Sequence, residues 1–404
     1  MLWLYNFGIF FYGLIVKVFA LFNPKANLFV QGRKKIFSTI QQKITPGTRH
    51  IWFHFASLGE FEQGRPVLEK IKEIHPGKKI VVTFFSPSGY EVRKNYALAD
   101  AIFYLPLDTA ENAKRFVALL NPEIAIFTKY EFWHHYFKAL NKNNTQLFII
   151  SGIFRPNQIF FKWYGDFYRQ TLRYVTHFFV QNEESVALLR GIQLENISLS
   201  GDTRFDRVAE NALAPKRFEL VERFCGDYKV CISGSTWPAD ERLLVQLMKL
   251  HPDWKFIIAP HEVTKNHIDE IQDMIPDAIK YSAIQDTSPN AQTLIIDNIG
   301  LLSSLYQYGK IAYIGGGFGV GIHNTLEAAA FGIPVIFGPE YHKFQEAKDL
   351  VSIGAAKSIH NVAELKNAFE QLTKDPLASV TAEKYVTSRK GATDQIIWQI
   401  SHYL

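Results

Sequence analysis

Three short stretches of the chain carry residue types suited to chemistry. The first is WFHFASLGEF, Trp52 to Phe61, an aromatic-rich run that stops at Ala-Ser-Leu-Gly and presents Glu60. A carboxylate is costly to bury without a partner, and it is one of the few side chains able to take a proton from an alcohol. The alternative reading is a helix-start acid favoured by the helix dipole. The second is IAYIGGGFGVGIHNTLEAAAFG, which reads strand, glycine-rich loop, helix, with Gly315, Gly316, Gly317, Gly319 and Gly321 in the loop. Such glycines allow a ligand close to the backbone, and a helix predicted to begin near His323 offers unpaired N–H groups to a phosphate. The spacing is not that of the dinucleotide fingerprint. The third is SGSTWPADE, where Ser233, Gly234, Ser235 and Thr236 precede a helix opened by Pro238. Each loop by itself reads as a tight strand-to-helix turn. Two in one half of the chain favour an anion or nucleotide site.

These stretches need elements to position them. Beyond residue 48, short apolar runs recur: HIWFHF, KKIVVTFF, AIFYLP, EIAIFTKY, QLFIIS and HFFVQN. Helical patterns such as ENAKRFVALLN and EESVALLRG separate them. Continuous apolar strands alternating with helices predict a parallel sheet covered on both faces. The alternation pauses between Arg207 and Tyr228, then resumes with KVCISGST, WKFIIAP, TLIIDNI, KIAYIGGG and PVIFGP. Two doubly wound α/β halves in tandem follow, and the cleft between them is the expected ligand site. The expected organisation is an apolar segment over 1–30, a first Rossmann-like domain over 31–206, a linker over 207–228 and a second such domain over 229–385. Residues 386–404 form a C-terminal helix, for which packing back on the first domain is one arrangement.

Composition narrows the function. The chain has 404 residues, 47% hydrophobic and 21% charged, which is a folded composition. The net charge of +5 is too small and scattered to argue for nucleic acid. Cys225 and Cys231 make neither a disulfide framework nor a zinc site. Residues Met1 to Phe22 are apolar apart from Asn6, two glycines and Lys17, and QGRKK follows. That length suits a membrane span, the basic flank places it on the cytoplasmic side, and Lys17 is positioned to snorkel. A helix lying in the interface is the alternative.

The motifs HFASLGE, SPSGYE, KYEFW, QNEES, SGDTRFD, SGSTWPADE, IAPHE, GGGFGVGIHNTLEAAA and FGPEYHKFQEA, in this order along nearly the whole chain, resemble those of the 3-deoxy-D-manno-octulosonic acid (Kdo) transferases. The resemblance implies the GT-B arrangement, two tandem Rossmann-like domains with a membrane-associated N-terminal helix. It also implies an inverting transfer of Kdo from CMP-Kdo to a lipid A precursor at the cytoplasmic face of the inner membrane, in lipopolysaccharide biosynthesis. Glu60 matches the family's catalytic base. Pro260 and His261, Ile299, Gly300 and Leu301, and Asn324, Thr325, Leu326 and Glu327 match its CMP-holding segments. Ser235, Thr236, Gly316, Gly317 and His323 are expected to line the same pocket. The chain departs from the family at His261, where Arg is usual, and at Leu301, where an acid is common. It also departs at Lys129 and Tyr130, where Glu-Thr is common, and at Ile322, where glycine stands.

Substitution at an anomeric carbon needs a base for the acceptor hydroxyl, which answers the question Glu60 poses. The leaving CMP needs charge stabilisation rather than a proton, and neither cofactor nor metal is expected. His54 reads first as a hydrogen-bonded core residue. Arg155, Arg204 and Lys129 are candidates for an anionic group and equally for surface ion pairs. FFKWYGDFYRQ reads either as an acyl-chain surface or as packed helix. Two other classes compete: a GT-B enzyme using a UDP-sugar, whether transferase or non-hydrolysing epimerase, and a non-enzymatic nucleotide- or lipid-binding protein.

Overall fold

The computed structural model describes residues 1–284 and 291–404. The chain divides into two compact units, Met1–Asp206 with Lys390–Leu404, and Arg207–Arg389.

In the first unit seven strands form one sheet: β1 (His50–Phe55), β2 (Lys79–Phe84), β3 (Ala101–Tyr104), β4 (Pro122–Thr128), β5 (Gln146–Gly152), β6 (His177–Val180) and β7 (Ile197–Leu199). Their order is β3-β2-β1-β4-β5-β6-β7, and each pairs in parallel with its neighbours. All six residues of β1 are buried. Side chains alternate across a strand, so Trp52 joins a core on one face with Phe103, Phe127 and Tyr136. Ile51, Phe53 and Phe55 join a second core on the other face. The helix Ala392–Ile400 completes that second face through Ile396, Ile397 and Ile400. Asp206 anchors its start by accepting from Gly391 N and, at 2.7 Å each, from Thr393 N and Oγ1.

The second unit repeats the plan with β8 (Lys229–Thr236), β9 (Trp254–Pro260), β10 (Ile279–Lys280), β11 (Thr293–Ile295), β12 (Ile311–Ile314), β13 (Val335–Phe337) and β14 (Ala356–Ser358). The order is β10-β11-β9-β8-β12-β13-β14. The expectation of parallel, doubly covered sheets holds. The sequence reading missed β7, β10 and β14, which have only two or three residues each and no long apolar run. The stretch 207–228, read as a linker, carries most of the helix Arg204–Leu213 and all of Glu219–Cys225.

The N-terminal helix Leu2–Phe19 lies against the first unit. The Tyr5 hydroxyl donates to Asp108, and Asn6 Oδ1 sits 2.7 Å from His135 Nε2. Asp108 also accepts the backbone N–H groups of His135 and Tyr136, at 3.0 and 2.9 Å, capping the helix His134–Lys142 from a distant loop. Burial pushes the Asp108 carboxyl up to about 6 against these donated bonds. Trp3, Phe7, Phe10, Leu14 and Val18 face outward.

Candidate active site

In an open parallel sheet, ligands gather at the carboxyl ends of the strands where the order reverses. In the first unit that point lies between β1 and β4. Glu60 sits there, in the first turn of the helix Leu58–Ile74 that follows β1, and its Oε2 accepts Ala56 N at 2.5 Å. Burial, and then the neighbouring Glu131 carboxylate, raise the Glu60 carboxyl to about 7, with the Ala56 hydrogen bond and Lys129 opposing.

Glu131 comes from the segment after β4. Its Oε2 lies 2.9 Å from Trp133 Nε1, which donates to it, and 3.2 Å from His54 Nε2. His54 is fully buried and its other ring nitrogen is 2.8 Å from Thr83 Oγ1. His54 is thus a hydrogen-bonded core residue, and its partner is a carboxylate at the site. Lys129 takes a positive φ of 59° and donates its N–H to Ile150 O. Ser151, at the end of β5, is also left-handed at φ 50°. Such backbone is uncommon outside glycine and clusters at functional sites. Tyr130 lies between Arg155 and Glu60, its phenol raised by burial, lowered by the first and raised by the second. Arg204 is engaged with Asp202 at 2.8 Å, while Lys129 acts on the Glu60 carboxyl and Arg155 on the Tyr130 phenol.

The apolar N-terminal helix reaches this cluster through three rings. Tyr12 stacks 6.0 Å from Phe85, Phe85 lies 4.8 Å from Trp133, and Trp133 holds Glu131.

In the second unit the order reverses between β8 and β12. Ser235 and Thr236 end β8, with Ser235 left-handed at φ 53°. Thr236 is buried and donates to Glu241 Oε1 at 2.9 Å, while His267 Nε2 lies 3.0 Å from the other Glu241 oxygen. Asp240, also buried, accepts Trp237 N at 3.0 Å, Gly316 N at 2.9 Å and the Tyr313 hydroxyl at 2.7 Å. That carboxylate pins the glycine loop to the helix Pro238–Leu250.

Trp237, His261 and His323 form one stack, with ring centroids 4.9 Å apart for the first pair and 4.3 Å for the second. Trp237 Nε1 donates to His323 Nε2 at 3.2 Å. Burial and the adjacent His261 depress His323 to about 4, so it is neutral and can accept. Pro260 ends β9, and His261 N donates to Thr236 O at 2.9 Å. Asn324 Nδ2 donates to Glu327 Oε1 at 3.0 Å, and its Oδ1 caps Leu326 N at 3.1 Å. Thr325 Oγ1 is buried with no hydrogen-bond partner among the described residues. Ile299 is exposed, Gly300 is left-handed, and Leu301 starts the short helix Leu302–Leu305.

One expectation needs correction. The helix expected near His323 starts at Leu326 and ends at Ala329. Asn324 holds the preceding chain in a turn, so the ordered N–H groups there come from loop and turn backbone. Two of the glycines also have a packing role. A Cβ on Gly315 would stand 2.3 Å from Ser235 O, and one on Gly317 2.6 Å from Gly338 Cα. Those two let strand ends pack backbone to backbone, whereas a Cβ on Gly319 would meet Gly316 O at an ordinary 3.7 Å. A cavity of about 280 Å³ lies beside the loop, lined by Trp237, Asp240, Gly316, Phe318, Gly319 and Val320.

A family model described as 3-deoxy-D-manno-octulosonic-acid transferase (kdotransferase) matches residues 31–207. The chain is 28% identical over 325 residues to the 3-deoxy-D-manno-octulosonic acid transferase of Chlamydophila psittaci, covering 77% of this chain and 74% of that one. It is 27% identical over 333 residues to that of Aquifex aeolicus, covering 80% and 85%. These matches support a glycosyltransferase similar to the Kdo transferases. Among solved structures, UDP-GlcNAc 2-epimerase from Neisseria meningitidis superposes with a TM-score of 0.60 over 87% of this transferase and 100% of that enzyme, at 16% identity. That likeness bears on fold alone and agrees with the GT-B arrangement of the Kdo transferase family.

The sequence nominates the Glu60 and Asn324–Glu327 segments but assigns no site role to Asp240, Glu131 or Trp133. An acid two residues after a proline reads as an ordinary helix-start acid. Only the Gly316 and Tyr313 bonds single Asp240 out.

Proposed function

We propose that this transferase moves Kdo from CMP-Kdo to a lipid A precursor held at the cytoplasmic face of the inner membrane, with Glu60 as general base and no metal or cofactor. The observation that carries the reading is the paired environment of Glu60. One carboxylate, lifted to about 7 by burial and by Glu131, stands at the reversal point of its sheet. A base working near neutral pH needs this proton affinity. The acceptor hydroxyl gives its proton to Glu60 as its oxygen attacks the anomeric carbon. The bond to the CMP phosphate oxygen breaks on the opposite side, and its electron pair leaves with the phosphate. Configuration inverts.

Asn324 and Glu327 are suited to ribose hydroxyls, and loop N–H groups beside them to the phosphate. Arg155 and Lys129 are suited to an anionic group on the acceptor or on Kdo. The link Tyr12–Phe85–Trp133–Glu131 supports a lipid acceptor. It sets an exposed apolar helix three rings from the carboxylates. Incubation with CMP-Kdo and a lipid A precursor, followed by mass measurement, tests the reading. One or more Kdo additions support it. No addition, with a uridine donor bound in preference to a cytidine one, would replace it with a UDP-sugar activity.

A further inference from the structure

Between the C-terminal half of the N-terminal helix and the segment Phe29–Ser38 lies a cavity of about 560 Å³ in the first unit. Its walls carry Lys17, Lys34, Lys35 and Arg115 and no carboxylate. Among the described residues none of these four side chains is ion-paired to an acid. Arg115 instead lies over the Phe37 ring at 4.3 Å. Arg33, which also lines the cavity, is spent on structure. Its guanidinium donates to Phe29 O, Leu105 O and Phe85 O at 3.1, 2.8 and 2.7 Å, and stands 3.5 Å over the Phe29 ring. One cation is therefore a strut, and four converge on an open volume.

The adjoining surface is apolar. Phe10, Phe11, Leu14, Val18, Leu21 and Phe22 are exposed, the last by 82%. Trp163, 90% exposed, precedes the helix Asp166–Leu172, whose Phe167 ring lies 5.5 Å from Tyr5. Tyr5, Asn6, Tyr12 and Gly13 all touch the folded unit. The rise between Tyr5 and Gly13 is about 12 Å, so the helix is fixed along much of its length to a polar body. A polar body does not enter hydrocarbon. The helix must then lie in the interface with its free face in the acyl region.

We infer that this cavity is a binding site for the phosphate headgroup of an anionic membrane phospholipid, seated beside an in-plane N-terminal helix. The inference rests on the membrane reading of that helix. An anionic headgroup matches four unpaired cations, and the neighbouring apolar face takes its acyl chains. Lys17 is then a ligand at the headgroup level rather than a flaw in a span.

Flotation of the full chain with vesicles tests this. Vesicles of phosphatidylcholine alone are compared with vesicles containing phosphatidylglycerol, at low salt. The wild type should partition more strongly to the anionic vesicles. Lys34→Gln/Lys35→Gln/Arg115→Gln should lose about 100-fold, from roughly fivefold per basic residue near an anionic surface. Ser38→Trp, which fills the cavity without altering charge, should lose at least tenfold on anionic vesicles and nothing on neutral ones. Glycerol phosphate should compete at millimolar levels if the phosphate suffices. No competition would mean that the acyl chains are needed as well, which also supports the site. Full binding by Ser38→Trp overturns the cavity in favour of diffuse surface charge, and leaves the membrane reading intact. Failure of the wild type to bind any vesicle overturns both.

Discussion

His54 Nε2 lies 3.2 Å from Glu131 Oε2, tying the carboxyl end of β1 to the segment after β4. The same oxygen takes the Trp133 indole N–H, so the Glu131 carboxylate is oriented from two sides beside Glu60. A like charge this near disfavours ionisation of the Glu60 carboxyl. The first-listed cause of the Glu60 shift is burial, and Glu131 adds to it.

Glu60→Gln should lower turnover by about two to four orders of magnitude while leaving CMP affinity unchanged. Stability should move the other way. The native state binds the Glu60 proton more tightly than the unfolded chain does. Stability therefore falls as pH rises from the ordinary carboxylate range to about 7, and the full penalty applies above that. The amide carries no such penalty, so its melting temperature should exceed the wild type's at about pH 8 and converge with it near pH 4. Near-native turnover, or a lower melting point at pH 8, would make Glu60 a helix-start acid only.

Glu131→Gln should shift the acidic limb of the pH–rate profile to lower pH, because Glu60 loses a like charge. His54 keeps an acceptor in the amide oxygen, so the fold should survive with a loss of about 1 kcal/mol. An unmoved limb would show that Glu60 is tuned by burial alone.

Glu327→Ala should weaken CMP binding by roughly 10- to 100-fold, the scale of a lost hydrogen bond to a charged group. Calorimetry with CMP reads this directly, and unchanged affinity removes Glu327 from the site. A chelator should leave turnover unaltered. Strong inhibition would overturn the metal-free reading.

Deleting residues 1–22 should move the protein from the membrane to the soluble fraction. It should also strip Asp108 of the Tyr5 hydroxyl and Phe85 of its Tyr12 partner. Tyr5→Phe isolates the first loss and should cost about 1–3 kcal/mol in urea unfolding, the scale of a buried carboxylate losing a donor. A stability equal to wild type would mean that the helix is held by its apolar contacts.

The periodicity of apolar runs alone determined the two parallel α/β halves, because a strand buried on both faces must be apolar at every position. The motif residues determined Glu60 and the Asn324–Glu327 segment as candidates, since residue type limits which groups can take a proton or hold a ribose. Short strands escaped for the converse reason. β10 and β14 span two and three residues and are defined by pairing with neighbours. Only the tertiary structure decided that Gly315 and Gly317 meet protein backbone, because that depends on Ser235 and Gly338 from distant segments. It alone found Glu131 beside Glu60 and Asp240 under Gly316, as each proton affinity and hydrogen bond is set by burial and by partners remote in the chain. It also decided the posture of the N-terminal helix. Length and composition make Leu2–Phe19 apolar enough to cross a membrane, while the Asp108 and His135 contacts fix which of its faces packs on protein.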